Sequence, residues 1–236
     1  MNVDKSSARV RQMFAEIARR YDLLNHLLSL GIDRSWRRRT TRLVPPAGDA
    51  PILDVCTGTG DLALAYLRAS GGRTKIMGAD FCRPMLRIGR DKFRRSGAAG
   101  QMMLVEADAR QLPFPADCFQ IVCVAFGLRN VSDPDRGLAE MVRVCRPGGR
   151  VAVLEFSLPT LRPLRWLYGL YFRWVVPLVG QGLAQNRQGA YNYLPASVGQ
   201  FPQAGALARR MEAAGLAEVR FHPLTFGVAT LYTGVK

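Results

Sequence analysis

Val10, Met13, Phe14, Ile17, Ala18, Tyr21 and Leu24 follow the three- and four-residue steps of a helix, and the spacing predicts one amphipathic helix over residues 8–28. Gly31 ends that stretch. Residues 33–43 read as a second, arginine-rich helix, stopped by Pro45 and Pro46. From Pro51 the pattern changes to short apolar runs that alternate with helical stretches. Strands are predicted at 51–56, 74–80, 102–107, 117–126 and 150–156, and helices at 60–70, 83–96 and from Asp133 onward. The run ending at Phe126 is apolar enough for a fully buried parallel strand. Asp133 and Pro134 supply an N-cap and a first-position proline. A turn at Arg146-Pro147-Gly148-Gly149 is expected to separate that helix from the strand at Arg150. A last helix at 203–214 and a hairpin-like pair of strands, 217–222 and 227–234, close the chain.

Strands alternating with helices imply a parallel sheet with right-handed crossovers, which binds ligands at strand C-termini near the reversal of strand order. Asp54, Gly58, Thr59 and Gly60 stand at the end of the first strand, and Asp80 ends the second. Asp108 and Ala109 follow the third, and Ala125 to Asn130 follow the fourth. Any one of these acids could be a helix cap or a surface turn. Three acids at three successive strand ends are hard to attribute to capping alone.

The stretch from Ile52 to Ala63 is a strand, a glycine turn and a helix start, and Asp80 ends the next strand. That is how an α/β sheet grips a nucleoside cofactor. Gly58 and Gly60 let backbone and ligand approach closely, and Asp80 can hold a ribose diol. NAD also fits such a turn, with its pyrophosphate over the helix N-terminus. Asp54 would repel a pyrophosphate but attract the ammonium and sulfonium charges of S-adenosylmethionine, which is therefore the favoured cofactor. Asp108 is placed to accept from an adenine amino group.

The chain has 236 residues, enough to bury a substantial core, and 48% of them are apolar. Its start lacks the apolar core of a signal peptide, which points to a cytoplasmic protein. Five cysteines (56, 82, 118, 123 and 145) form no C-x-x-C pair and argue against a disulfide framework or a zinc site; no metal is expected. The net charge is +15, with lysine only at 5, 75, 92 and 236. Arginines cluster at 34, 37, 38, 39 and 42, at 83, 87, 90, 94 and 95, and at 162, 165 and 173. Such clusters could attract nucleic acid or an anionic membrane. Solvated helix faces explain the first two at least as well.

Four stretches make the chain recognisable: FAEIARRYDLLNHLLSLGIDRSWR from Phe14 to Arg37, LDVCTGTGDLA at 53–63 with GAD at 78–80, LPFPADCFQIVCVAFGLRNVSD at 112–133, and RPGGRVAVLEFSLP at 146–159. Together they resemble the C-methyltransferase family of menaquinone and ubiquinone biosynthesis, which methylates a carbon of a prenylated quinol ring. Weaker similarity runs through Tyr191-Asn192-Tyr193-Leu194 to the carboxyl end. The resemblance implies a Rossmann-like class I S-adenosylmethionine-dependent methyltransferase: an α/β domain with a mostly parallel seven-stranded sheet, an antiparallel terminal strand and an N-terminal helical cap. The expected parts are a cap at 1–46, a cofactor-binding core at 51–156, a lid or insertion at 157–202 and a C-terminal helix and strands at 203–236. It further implies cofactor contacts at Thr59, Asp80, Asp108 and Ala109. The family often has Asn where Asp108 stands, and Ser where Ala125 stands, which leaves a backbone contact there.

The chemistry directs attention to Arg129. A quinol carbon becomes a better nucleophile when a ring hydroxyl loses its proton, and a permanently charged guanidinium stabilises the resulting anion. Asn130 beside it could orient a hydroxyl or a water. An arginine merely paired with Asp133 or Asp135 is the competing reading. Tyr21 could hydrogen-bond cofactor or substrate, or be core. His26 and His222, the two histidines, suit ordinary packing or surface roles.

Residues 161–179 mix Trp166, Trp174, Tyr168, Tyr171 and Phe172 with Arg162, Arg165 and Arg173. Three arginines and two prolines argue against a transmembrane helix. An interfacial helix at the inner face of the membrane, or a lid over a prenyl-chain groove, fits this mixture. A helix covered by the domain, or by a second subunit in a homodimer, fits equally well. An RNA methyltransferase would suit the basic charge, but the chain lacks an Asn-Pro-Pro-Tyr-type loop and a Pro-Cys nucleophile motif, so no nucleic-acid partner is expected. A non-catalytic nucleotide-binding module would need no Arg129. The favoured reaction is the conversion of demethylmenaquinol to menaquinol, with the benzoquinol of ubiquinone biosynthesis as the alternative.

Overall fold

The computed structural model describes residues 6–171, Trp174 and residues 190–236. Seven strands form one sheet in the order β3-β2-β1-β4-β5-β7-β6. They are β1 (Ile52–Val55), β2 (Ile76–Asp80), β3 (Met102–Glu106), β4 (Phe119–Ala125), β5 (Cys145–Phe156), β6 (Ala217–Leu224) and β7 (Ala229–Val235). The first five pair in parallel, and β7 runs antiparallel between β5 and β6. The chain winds outward from β1 to β3 and then returns to lay β4 beside β1. The reversal of strand order therefore falls between β1 and β4, where a ligand crevice is expected.

Every residue of β1 is buried, because helices cover both faces of the sheet. The two-residue period of the strands splits their side chains between two cores. Leu53, Val55, Val122 and Val124 pack with Leu138 and Met141 of α6 (Pro134–Val144). Ile52, Ile121 and Leu154 pack on the other face with Leu62 and Tyr66 of α4 (Asp61–Ala69) and Trp36 of α3 (Ile32–Leu43). Each such aliphatic side chain contributes roughly 1.5–3 kcal/mol by leaving water. Asp133 caps α6, accepting from the backbone N–H of Arg136 at 3.0 Å.

Three features differ from the sequence expectation. The single helix expected over residues 8–28 is two, α1 (Ser7–Ile17) and α2 (Tyr21–Leu28), joined by a 3₁₀ turn at Ala18–Arg20. The apolar stripe continues through the joint, so periodicity does not reveal it. A tertiary contact follows the joint: Asp22 reaches the glycine turn, taking a hydrogen bond from Thr59 Oγ1 at 2.5 Å. The turn expected at Arg146–Gly149 is a bulge within β5, since Phe119 pairs with Cys145 whereas Ile121 pairs with Arg150. Finally, the described part of the lid region includes the helices α7 (Arg162–Leu170) and α8 (Ala190–Gln200), and α9 (Gly205–Ala213) comes after them. Phe172, Arg173 and 175–189 lie outside the described residues.

Candidate active site

The glycine turn begins where β1 meets its neighbours. Cys56 leaves the strand with a left-handed φ of 52° and Phe126 leaves β4 with one of 58°. Gly127 lets these two strand ends touch, since a Cβ there would lie 2.4 Å from the Cβ of Cys56. Gly60 has a φ of 83°, and a Cβ on it would lie 2.2 Å from the Phe93 ring.

Asp54 lies beneath this turn. Its Oδ2 accepts from Thr57 Oγ1 at 2.6 Å and from the Ala63 N–H, in the first turn of α4, at 3.1 Å. Burial pushes its carboxyl up to about 7, against the pull of these donors. Asp54 thus ties strand, turn and helix together rather than reaching the ligand crevice. Thr59 is also engaged elsewhere: besides Asp22, it meets Lys92 Nζ at 3.1 Å, and Lys92 holds Asp22 and Asp61 at 2.6 Å each.

A cavity of about 60 Å³ sits at the C-terminal ends of β1 to β4, lined by Gly58, Asp80, Asp108, Ala109, Ala125 and Asn130 among others. Asp54, Thr59 and Gly60 do not reach its wall. Asp80 takes the Gly58 N–H on Oδ2 and the Cys82 N–H on Oδ1, both at 2.8 Å. Its carboxyl is nonetheless pushed up to about 6 by burial. Asp108 pairs with Arg110 Nη2 at 2.7 Å, which holds its carboxyl below the usual range. Asn130 Nδ2 donates to the Phe126 carbonyl at 3.3 Å, while its buried Oδ1 has no partner among the described residues. The wall therefore presents oxygen acceptors, suited to a ligand rich in N–H and O–H donors.

A second, largely apolar cavity of about 250 Å³ adjoins the first, and Phe14, Tyr21 and Phe126 line both. Trp36, Phe126 and Phe156 form its aromatic wall, with the two phenylalanine centroids 4.3 Å apart. Tyr168 and Tyr171 close another side, and the Tyr171 hydroxyl donates to the Leu28 carbonyl at 2.5 Å. Burial raises the Tyr21 hydroxyl pKa, against a hydrogen bond with Asn25 and the charges of Arg129 and Arg37.

Arg129 lines this larger cavity and is 6% exposed. Its partner is neither Asp133 nor Asp135 but Glu155, whose Oε2 accepts from Nη1 at 2.8 Å. Glu155 also takes the Arg129 backbone N–H at 3.1 Å, and Arg129 Nη1 donates to the Phe126 carbonyl. Asp135 instead meets Arg210 at 3.2 Å. Arg129 and Asn130 are neighbours in the chain but serve different cavities.

Sequence reasoning missed Glu155, a lone acid in a buried strand, and placed Arg37 in a solvent-facing cluster. Arg37 is 8% exposed, whereas Arg34, Arg38, Arg39 and Arg42 of the same cluster are on the surface. The signal was present in the spacing, because Asp33, Trp36, Arg37 and Thr40 share one helix face. Asp33 meets Arg37 Nη1 and lies 2.8 Å from His26 Nδ1. His26, Asp33 and Asp61 cluster as metal ligands do, but Arg37 and Lys92 already bridge their carboxylates in a chain of ion pairs.

The family model described as the ubiE/COQ5 methyltransferase family matches residues 2–236. The chain is 44% identical over 228 residues to the Geobacter sulfurreducens protein called ubiquinone/menaquinone biosynthesis C-methyltransferase UbiE, covering 97% of this chain and 88% of that one. It is 48% identical over 222 residues to the demethylmenaquinone methyltransferase of Thermus thermophilus, with 94% and 99% covered. Among solved structures, a SAM-dependent methyltransferase from Aquifex aeolicus shares the fold with a TM-score of 0.61 at 15% identity, over 84% of this chain and 88% of that one.

Proposed function

The chain belongs to the ubiE/COQ5 methyltransferase family, and from that premise we propose that its acceptor is the demethylmenaquinol ring and that Arg129 is the group that activates it. The protein is an S-adenosylmethionine-dependent C-methyltransferase of quinone biosynthesis. The observation that carries the acceptor reading is the shared wall: a small acceptor-lined cavity and a larger aromatic one meet at Phe14, Tyr21 and Phe126.

The acceptor set of the small cavity suits the cofactor. Asp80 has lone pairs left for the ribose hydroxyls, and Asp108 and the unpartnered Asn130 Oδ1 can take amino-group donors. S-adenosylmethionine supplies the methyl group when bound. The chain's own task is to hold the ring among Trp36, Phe126 and Phe156, with the reacting carbon at the seam. Arg129, inside a low-dielectric cavity, stabilises the ring oxygen as its proton leaves to water. Asn130 orients the cofactor side of the seam rather than a ring hydroxyl. Asp54, Thr59 and Gly60 act through the shape of the turn.

Among the described residues no helix is long and apolar enough to cross a membrane. A surface contact for the lipid-tailed substrate is carried by α7 and Trp174, where Trp166 is 68% and Trp174 66% exposed and Arg162 and Arg165 lie on the same helix as Trp166. Flotation with phosphatidylglycerol vesicles tests this. Wild-type protein should rise with them and Trp166→Ser should lag. Equal behaviour would instead favour a dimer covering that face.

The decisive experiment mixes protein, S-adenosylmethionine and either reduced short-tailed demethylmenaquinone or the matching benzoquinol precursor, with mass spectrometry of product. A one-methyl gain placed on the naphthoquinol ring supports the reading; a gain on the benzoquinol alone replaces the acceptor.

A further inference from the structure

The acceptor cavity contains a second guanidinium built like the first. Arg129 turns Nη1 to buried Glu155 and lies 5.2 Å from the centroid of Phe156. Arg37 turns Nη1 to buried Asp33 and lies 5.8 Å from the centroid of Phe126, with Nη2 3.7 Å from Asp61. The two rings lie against each other, inclined by 31°. In both arginines Nε is buried without a hydrogen-bond partner among the described residues, and both side chains line the cavity. Two guanidiniums lining one aromatic cavity suit a flat ligand with two separated oxygens.

Resting on the quinol reading above, we propose that Arg37 is a second acceptor-binding residue, whose guanidinium holds the ring oxygen para to the one held by Arg129. Asp33, Asp61 and Glu155 offset both cations in the resting cavity. When one hydroxyl loses its proton to water, its O–H bond breaks and the electron pair stays on oxygen. One guanidinium then meets the anion, while the other donates to the oxygen of the neutral hydroxyl. Recognition of both oxygens makes the site selective for a hydroquinone over a monophenol, because the monophenol leaves one donor unpaired.

The test compares two acceptors: reduced short-tailed demethylmenaquinone, and the naphthol that keeps the hydroxyl ortho to the reacting carbon but lacks the other. Arg37→Lys keeps a cation for Asp33 and Asp61 but loses the planar fork of donors. The proposal expects wild type to favour the diol in kcat/KM, and that preference to shrink about tenfold in Arg37→Lys, with cofactor affinity by calorimetry unchanged. An undiminished preference would make Arg37 structural only and overturn it. Should the variant fail to fold, wild type alone decides: equal binding of diol and naphthol overturns the proposal, and binding of the diol at least about tenfold tighter supports it. Wild type that methylates no quinol at all removes the acceptor reading itself, a separate and recognisable outcome.

Discussion

The two cavities share three residues and differ in how they are made. The small one is a property of strand ends: Asp80 ends β2, Asp108 comes just after β3 and Ala125 ends β4, while backbone N–H groups of Gly58 and Cys82 set the Asp80 carboxylate. The large one is a property of packing between distant segments. Its wall takes Trp36 from the helical cap, Arg129 from the loop after β4, Phe156 from the end of β5 and Tyr168 from α7. Parallel sheets bring loops to one edge by topology alone. An aromatic cavity has to be added by side chains, and here it is bordered by buried ion pairs.

Four variants or conditions break one side of this comparison and spare the other. The largest effect is expected from Glu155→Gln, which leaves Arg129 as an uncompensated buried cation. It should cost roughly 3–5 kcal/mol in urea unfolding, against little change for Asp135→Asn at the exposed pair with Arg210. Arg129→Ala comes next. Turnover should fall by about 100-fold or more while calorimetric affinity for S-adenosylmethionine stays within about threefold. An unchanged rate would end the catalytic role.

The cofactor side is sharpened by pH. Burial raises the Asp80 carboxyl to about 6, so it is ionised above that value and protonated below it. On the proposed reading, ribose hydroxyls donate to the ionised form. Cofactor affinity should therefore be level above pH 6 and weaken about tenfold per unit below it. In Asp80→Asn the affinity should be lower and the pH step absent. A step that survives in the variant would assign it to another group.

The smallest effect tests the seam. α1 and α2 cover the small cavity with Ser7, Phe14 and Tyr21. Asp22 fastens them to Thr59, buried in the turn, and to the partly exposed Lys92. Asp22→Asn should speed cofactor release in stopped flow by a few-fold, consistent with a partly exposed ion pair. No change in release would mean that the cap is held by its apolar face alone.

Much of the scaffold was legible in the residues. Strand and helix order, the N-cap at Asp133, the glycine turn and the acid ending β2 all come from local rules: apolar period, turn chemistry and capping. Those rules also brought Asp108, Ala109 and Ala125 to the same edge as Asp80, because parallel strands end together. The cap was legible as helix but not as two helices, since the stripe from Val10 to Leu24 runs unbroken through the 3₁₀ turn.

What the sequence by itself determined is therefore the order of elements and the edge at which the glycine turn lies. Tertiary structure alone decided which charged groups are buried and with whom. Asp54 turns under the loop to Thr57 and Ala63, Arg129 finds Glu155 across 26 positions, and Arg37 leaves an arginine-rich surface to face Asp33 and Asp61. The physical reason is range. Helix and strand periods are set by neighbours along the chain, whereas a buried charge is tolerable only beside its counter-charge. That partner is chosen by which distant elements the folded sheet brings together.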